Sequence, residues 1–100
     1  TMLHNYIEHP GILLRDDFLA EMAISQYRLA KATHLPESRI SKICRGERAI
    51  SADTALRLAA FFETTPDYWL NLQKNYELAR AKADFPGDLK IETAADLCEY

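Results

Sequence analysis

No stretch of this chain holds enough consecutive apolar residues to span a membrane or to form the core of a signal peptide, so a cytoplasmic protein is expected. Only two cysteines are present, Cys44 and Cys98, and they lie far apart. That pair gives neither a disulfide framework nor a zinc motif, and two free thiols are expected. His4, His9 and His34 do not combine with them at any metal-ligand spacing. Glycine is scarce, with three residues and no Gly-rich phosphate loop. No Ser-His-Asp arrangement stands out, and the adjacent acids Asp16 and Asp17 would diverge by about 100° on a helix, too far to flank one substrate atom. A non-enzyme without metal or cofactor follows. There is no internal repeat or low-complexity tract, and 100 residues suffice for one core, so a single domain over 1–100 is expected.

Positive charge is also in short supply, because the net charge is −3. That average conceals a strong segregation. Between residues 25 and 48 six cations (Arg28, Lys31, Arg39, Lys42, Arg45, Arg48) face two acids (Glu37, Glu47), a local charge of +4. Residues 1–24 carry −3, residues 49–82 balance, and residues 83–100 carry −4. Groove binding depends on local charge, so a basic island between acidic ends keeps nucleic acid among the partners.

The island coincides with SQYRLAKATHLPESRISKICRG, residues 25–46, which reads as two short helices joined by a tight turn. Ser25 is a good N-cap for the helix-forming run that follows it. The turn falls at Thr33-His34-Leu35, where His34 is the candidate for positive φ. Pro36 suits the first position of the second helix, and Gly46 suits the left-handed residue just past its end. At 100° per residue, Ile40 and Ile43 share one face. Ser38, Ser41, Lys42 and Arg45 take the other, with Glu37 and Arg39 on the flanks. Hydroxyls and cations so placed suit a DNA major groove, although an ordinary amphipathic helix with a solvated polar face has the same pattern.

Around this pair, residues 3–9 show no clear period. Leu14, Phe18, Leu19 and Met22 form the stripe of a first helix. Ser51 should cap a helix whose apolar face is Ala55, Leu56, Ala59 and Phe62, with Asp53 in its first turn. Thr65-Pro66-Asp67 starts a longer helix to about Lys82, carrying Tyr68, Trp69, Leu72 and Tyr76 at helical spacing. Asp84-Phe85-Pro86-Gly87-Asp88 then breaks it, and LKIETAADLCEY could hold a strand-like LKI or a weak helical turn. An all-α fold results, with an N-terminal arm (1–8), a core (9–82) and an acidic C-terminal tail (83–100).

The segments HPGILLRDDFL, SQYRLAKAT, SRISKICRGERAISADTALRLAAFF and TPDYWLNLQKNYEL resemble the HigA (VapI-like) antitoxins, a branch of the lambda-repressor-like (XRE-type) helix-turn-helix superfamily. The resemblance covers about residues 9–82. It implies a five-helix lambda-repressor-like DNA-binding domain, with short irregular arms, that dimerises on a palindromic operator, represses its own operon and neutralises a RelE/HigB-like mRNA-cleaving toxin. It further implies that Glu37, Ser38, Arg39 and Lys42 face bases or the adjoining backbone, and that Gln26, Arg45 and Arg48 contact phosphate. Ser41, from the outward face, joins the base candidates, and Ser25, next to Gln26, joins the phosphate candidates. His34 departs from the glycine frequent at the turn, and the tail falls outside the matched part.

Trp69, Leu72 and Tyr76 are the candidate dimer seam, the other role open to them being the cap of the core, and the N-terminal arm is the alternative seam. The acidic tail could cover a basic partner or serve only to solvate the chain. Two further functions remain open: a stand-alone regulator without a toxin, and a protein-interaction module that has lost DNA binding.

Overall fold

The computed structural model describes residues 8–98. The N-terminal arm expected over residues 1–8 therefore lies, apart from Glu8, outside the described residues, as does His4.

The first helix, α1, covers residues 10–22. His9 caps it, its Nδ1 accepting the Gly11 N–H at 2.9 Å, and Pro10 occupies the first turn. From Leu14 to Leu19 the winding loosens to a π-helix, in which the Ala20 N–H reaches the Arg15 carbonyl. Side chains five apart then stack, so Leu14 and Leu19 are both buried and Phe18 packs beside them. Met22, expected on the same stripe, is carried off it and is 54 % exposed. The helix stops at Ala23, which is left-handed.

Helix α2, Gln26–Thr33, starts as expected, with the Ser25 hydroxyl accepting the Arg28 N–H at 3.0 Å. It stops at His34, whose φ of 60° is the positive value required of the turn. Helix α3, Glu37–Cys44, begins one residue later than Pro36 suggests. Pro36 has a helical φ but an extended ψ of 141°, so it is the cap and Glu37 the first helical residue. Past the other end, Gly46 has φ 78°. Its N–H bonds the Ile43 carbonyl while the Glu47 N–H bonds that of Lys42, a Schellman closure.

Helix α4, Ala52–Phe62, is capped by Ser51 and ends at left-handed Glu63. Its buried stripe is Ala55, Leu58 and Ala59, with Phe62 partly buried. Leu56, expected to belong to it, is 59 % exposed, because it lies about 100° around the helix from Ala55. Helix α5, Pro66–Asp84, is capped by Thr65 and runs two residues beyond Lys82. Every side chain from Arg80 to Cys98 is exposed. The tail adds one four-residue helix, α6 (Ala94–Leu97), closed by reciprocal bonds between Thr93 and Asp96. No strand forms among the described residues, and the LKI segment is irregular.

One core joins α1 to α5 through Leu14, Leu29, Ile40, Ile43, Ile50, Leu58 and Trp69. The Trp69 ring lies 5.0 Å from Phe18 and 5.7 Å from Phe62, and its indole N–H donates to the Thr64 hydroxyl at 2.9 Å. Cys44 is buried within this core and Cys98 is exposed, both as free thiols. Helix α1 meets α3 so closely that a Cβ built on Gly11 would sit 1.6 Å from the Ile43 carbonyl oxygen. No side chain fits there, so Gly11 fixes the distance between the two helices.

His9 closes this junction from outside, with its ring against Tyr76 at 5.0 Å and next to Gly46. Burial pushes its pKa down, opposed by a hydrogen bond with the Arg48 main chain and by the Glu77 charge. The folded state thus binds the His9 proton less readily than the unfolded chain, whose value is about 6.5. The His9 contribution to stability is complete above that value and is lost as pH falls below it. Thermal melts from pH 7.5 to 5 should show a decline that His9→Asn flattens; an identical decline in the variant would remove His9 as its source.

Candidate nucleic-acid interface

The sidedness of α3 sets the geometry of the site. Ile40, Ile43 and Cys44 are all fully buried, which turns Ser38 and Lys42 outward. Glu37 is exposed in the first turn, where an acid suits the helix dipole, and Arg39 and Ser41 are half-buried on the flanks. The Ser41 hydroxyl accepts a hydrogen bond from Arg45 Nη1.

Arg45 ends this helix and also grips Glu47 through two nitrogens, Nε to Oε2 at 3.1 Å and Nη2 to Oε1 at 3.3 Å. The pair holds the Glu47 carboxyl below its usual range and raises that of the guanidinium. Both side chains are in solvent, so the contact is readily exchanged for another anion. Arg48 is exposed in the loop after α3 and has no ion pair among the described residues.

That loop is held at both ends. Gly46 closes the helix side, and on the other Ile50 is buried with its N–H donated to Gln73 Oε1 of α5 at 2.9 Å. Gln73 is itself oriented through its amide nitrogen, which donates to Glu77 at 2.9 Å. The cations of the loop therefore ride on an anchored backbone. Neither His9 nor Gln73 was identified by pattern. Gln73 lies in the WLNLQ segment, but its partner is 23 residues away and no local signal pairs them.

Ser25 and Gln26 lie at the N-terminus of α2. The Ser25 oxygen is engaged as an acceptor by the cap, and its hydroxyl proton remains available to an anion. The unpaired N–H groups of that first turn favour negative charge in the same place.

A further arrangement ties α3 to its neighbours. Arg39 Nη1 lies 4.0 Å from Asp53 Oδ2, and the same oxygen accepts from Arg57 Nε at 3.0 Å. Arg57 Nη1 donates onward to the carbonyls of Thr33 and His34, at 2.7 and 3.3 Å, where α2 ends. The spacing of Asp53 and Arg57, four apart on a helix, was legible in the sequence. Their reach to the turn was not.

The three residues expected at a dimer seam do not form one surface. Trp69 is 0 % exposed at the centre of the core, because its ring fills the space between α1 and α4, and it offers nothing to a second chain. Leu72 is partly buried against the same core. Tyr76 is half-buried beside His9, and its hydroxyl accepts from Arg80 at 2.8 Å. Among the described residues, no three His, Cys, Asp or Glu side chains gather in a way that could hold a metal ion.

The family model described as helix-turn-helix matches residues 17–69, which include α2, α3 and α4 in full. Virulence-associated protein I of Dichelobacter nodosus is 47 % identical over 76 residues, 76 % of this chain and 70 % of that protein. Among solved structures, the Pseudomonas aeruginosa antitoxin HigA with the higBA promoter is 40 % identical, with a TM-score of 0.74 over 82 % of this chain and 98 % of that one. The antitoxin GraA in complex with its operator is 35 % identical, with a TM-score of 0.78 over 93 % of this chain and all of that one. An outward face of hydroxyls and cations on the second helix of the pair, on a fold shared at this level, places the chain in the DNA-binding, non-enzymatic helix-turn-helix family, as a member of its HigA/GraA antitoxin type.

Proposed function

We propose that two copies of this chain bind a palindromic operator, repress the operon that encodes them, and neutralise a RelE/HigB-like toxin that cleaves mRNA. The observation that carries the DNA half is the outward face of α3: Ser38 and Lys42 exposed at its centre, and Arg45 and Arg48 on the anchored loop at its end. Ser38 and Lys42 suit base edges, with Glu37, Arg39 and Ser41 beside them, while Ser25, Gln26, Arg45 and Arg48 suit the backbone to either side. That solved relatives are bound to an operator or promoter supports the same placement.

Two recognition helices must reach successive major grooves about 34 Å apart, and a homodimer supplies that spacing. With Trp69 withdrawn into the core, the outer side of α5 remains for the seam. Leu72 and Tyr76 would contribute their half-exposed parts, and Leu78 is 51 % exposed further along the helix. The toxin half rests on the relatives named antitoxins and on charge. A nuclease that approaches RNA is basic, and residues 83–100 carry −4 with every side chain from Ala83 to Cys98 exposed.

Titrations of a duplex from upstream of its own gene separate the two classes of DNA contact. Arg45→Ala should weaken binding to all sequences and reduce the slope of log affinity against log salt by about 0.9. Lys42→Ala should instead cost about 1–3 kcal/mol at particular base pairs. Equal sequence preference in Lys42→Ala and the parent, or an unchanged slope in Arg45→Ala, would remove that residue from its role.

For the toxin, co-expression with a small basic protein encoded beside this chain should relieve the growth arrest that protein causes alone. Arrest that persists despite soluble expression of both would leave a stand-alone regulator.

A further inference from the structure

Among the described residues, Asp53 of α4 is the one carboxylate on another helix that faces a cation of the recognition helix, and Arg57 links it on to the end of α2. Its Oδ2 accepts from Arg57 Nε at 3.0 Å and faces Arg39 Nη1 at 4.0 Å. The Arg57 guanidinium also closes the C-terminal end of α2, donating to the Thr33 carbonyl at 2.7 Å and to that of left-handed His34 at 3.3 Å. These oxygens belong to the last turn of a helix, where no amide of that helix can reach them and where a cation suits the dipole. Arg57 therefore fixes the start of α4 relative to the turn of the motif. It holds Asp53 in place although that side chain is 57 % exposed.

We propose that Asp53 and Arg57 are positioning residues that aim Arg39 at a base edge and hold it away from phosphate. The inference rests on the proposed DNA interface of α3. A 4.0 Å contact between half-buried Arg39 and exposed Asp53 is too weak to neutralise Arg39, and exchanging it for a base costs little. It is close enough to bias the orientation of a long side chain on the flank of the helix. The carboxylate also repels the DNA backbone, so a pose in which Arg39 grips phosphate beside Asp53 is penalised whatever the sequence. Sequence preference then arises in part from a residue that need not touch a base.

The test measures affinity for two probes: a duplex from upstream of the chain's own gene, and a shuffled duplex of equal length and composition. Asp53→Ala should bind the shuffled duplex several-fold more tightly, because a negative charge has left the interface. Its ratio of operator to shuffled affinity should fall about tenfold, within the range of one well-made base contact. In an Arg39→Ala background the same substitution should leave that ratio unchanged, because the residue being aimed is gone. Arg57→Lys keeps the charge but cannot reach the carbonyls and Asp53 together, and should reproduce the loss of preference.

Equal tightening on both probes would reduce Asp53 to a general electrostatic effect and overturn the proposal. So would the same fall in the ratio with Arg39 absent. An Arg39→Ala variant that keeps the full operator preference would show that Arg39 reads no base, a failure of the underlying interface distinct from a failure of coupling. Should Asp53→Ala lose its cooperative melt, Asp53→Asn keeps the shape, removes the charge and carries the same expectations.

Discussion

The approach of α1 to α3 at Gly11 is the constraint on which the rest of the molecule depends. With the Ile43 carbonyl where a Cβ would be, α3 meets α1 backbone to backbone, beside the shared core of Leu14, Ile40 and Ile43. Ile40, Ile43 and Cys44 are thereby committed to the core, and the period of the helix leaves Ser38 and Lys42 no direction but outward. The outward face of hydroxyls and cations follows from this burial. His9 seals the junction and touches Tyr76, and the Gly46 closure and the Ile50–Gln73 bond fix the loop that follows. A DNA reader gains from such anchoring because its cations need not be ordered when the groove arrives.

Electrostatics is arranged on the same plan. The basic island sits on α2, α3 and the following loop, while the acids collect at the ends of the chain. Within the island, the acids have particular places. Glu47 takes the Nε/Nη2 edge of the Arg45 guanidinium, and Asp53, from the next helix, faces Arg39. The exposed pairs add little to stability. Their effect is on where the cations point, which in the proposed interface bears on sequence preference more than on raw attraction.

Legibility in the sequence followed the range of the interaction. Caps were readable because they are local: Ser25, Ser51 and Thr65 each accept the amide three residues on, and His34 and Gly46 adopt the positive φ that their turns require. Helical spacing misleads where the period departs from 3.6 or where the buried stripe is narrower than the apolar one. The π-helical winding of 14–19 displaced Met22, and Leu56 was placed on a stripe that belongs to Leu58. Trp69 was ambiguous in principle, since an aromatic residue at helical spacing suits a core and a seam equally. Only the rings of Phe18 and Phe62 around it decide. Most of the proposed DNA face could be read from α3 alone. Its supports could not, because Arg57, Gln73 and His9 act across the fold through single hydrogen bonds that leave no periodic trace.

In the proposed function, the outward face of α3, with its loop, is the surface that meets DNA. Amide chemical shifts of the full chain, recorded while a duplex from upstream of its own gene is added, test this most directly. The largest changes are expected over residues 37–48 and at the start of α2, with the exposed end of α5 little affected at a salt concentration that suppresses non-specific binding. Changes centred on α5 and the tail, with α3 unmoved, would contradict that placement.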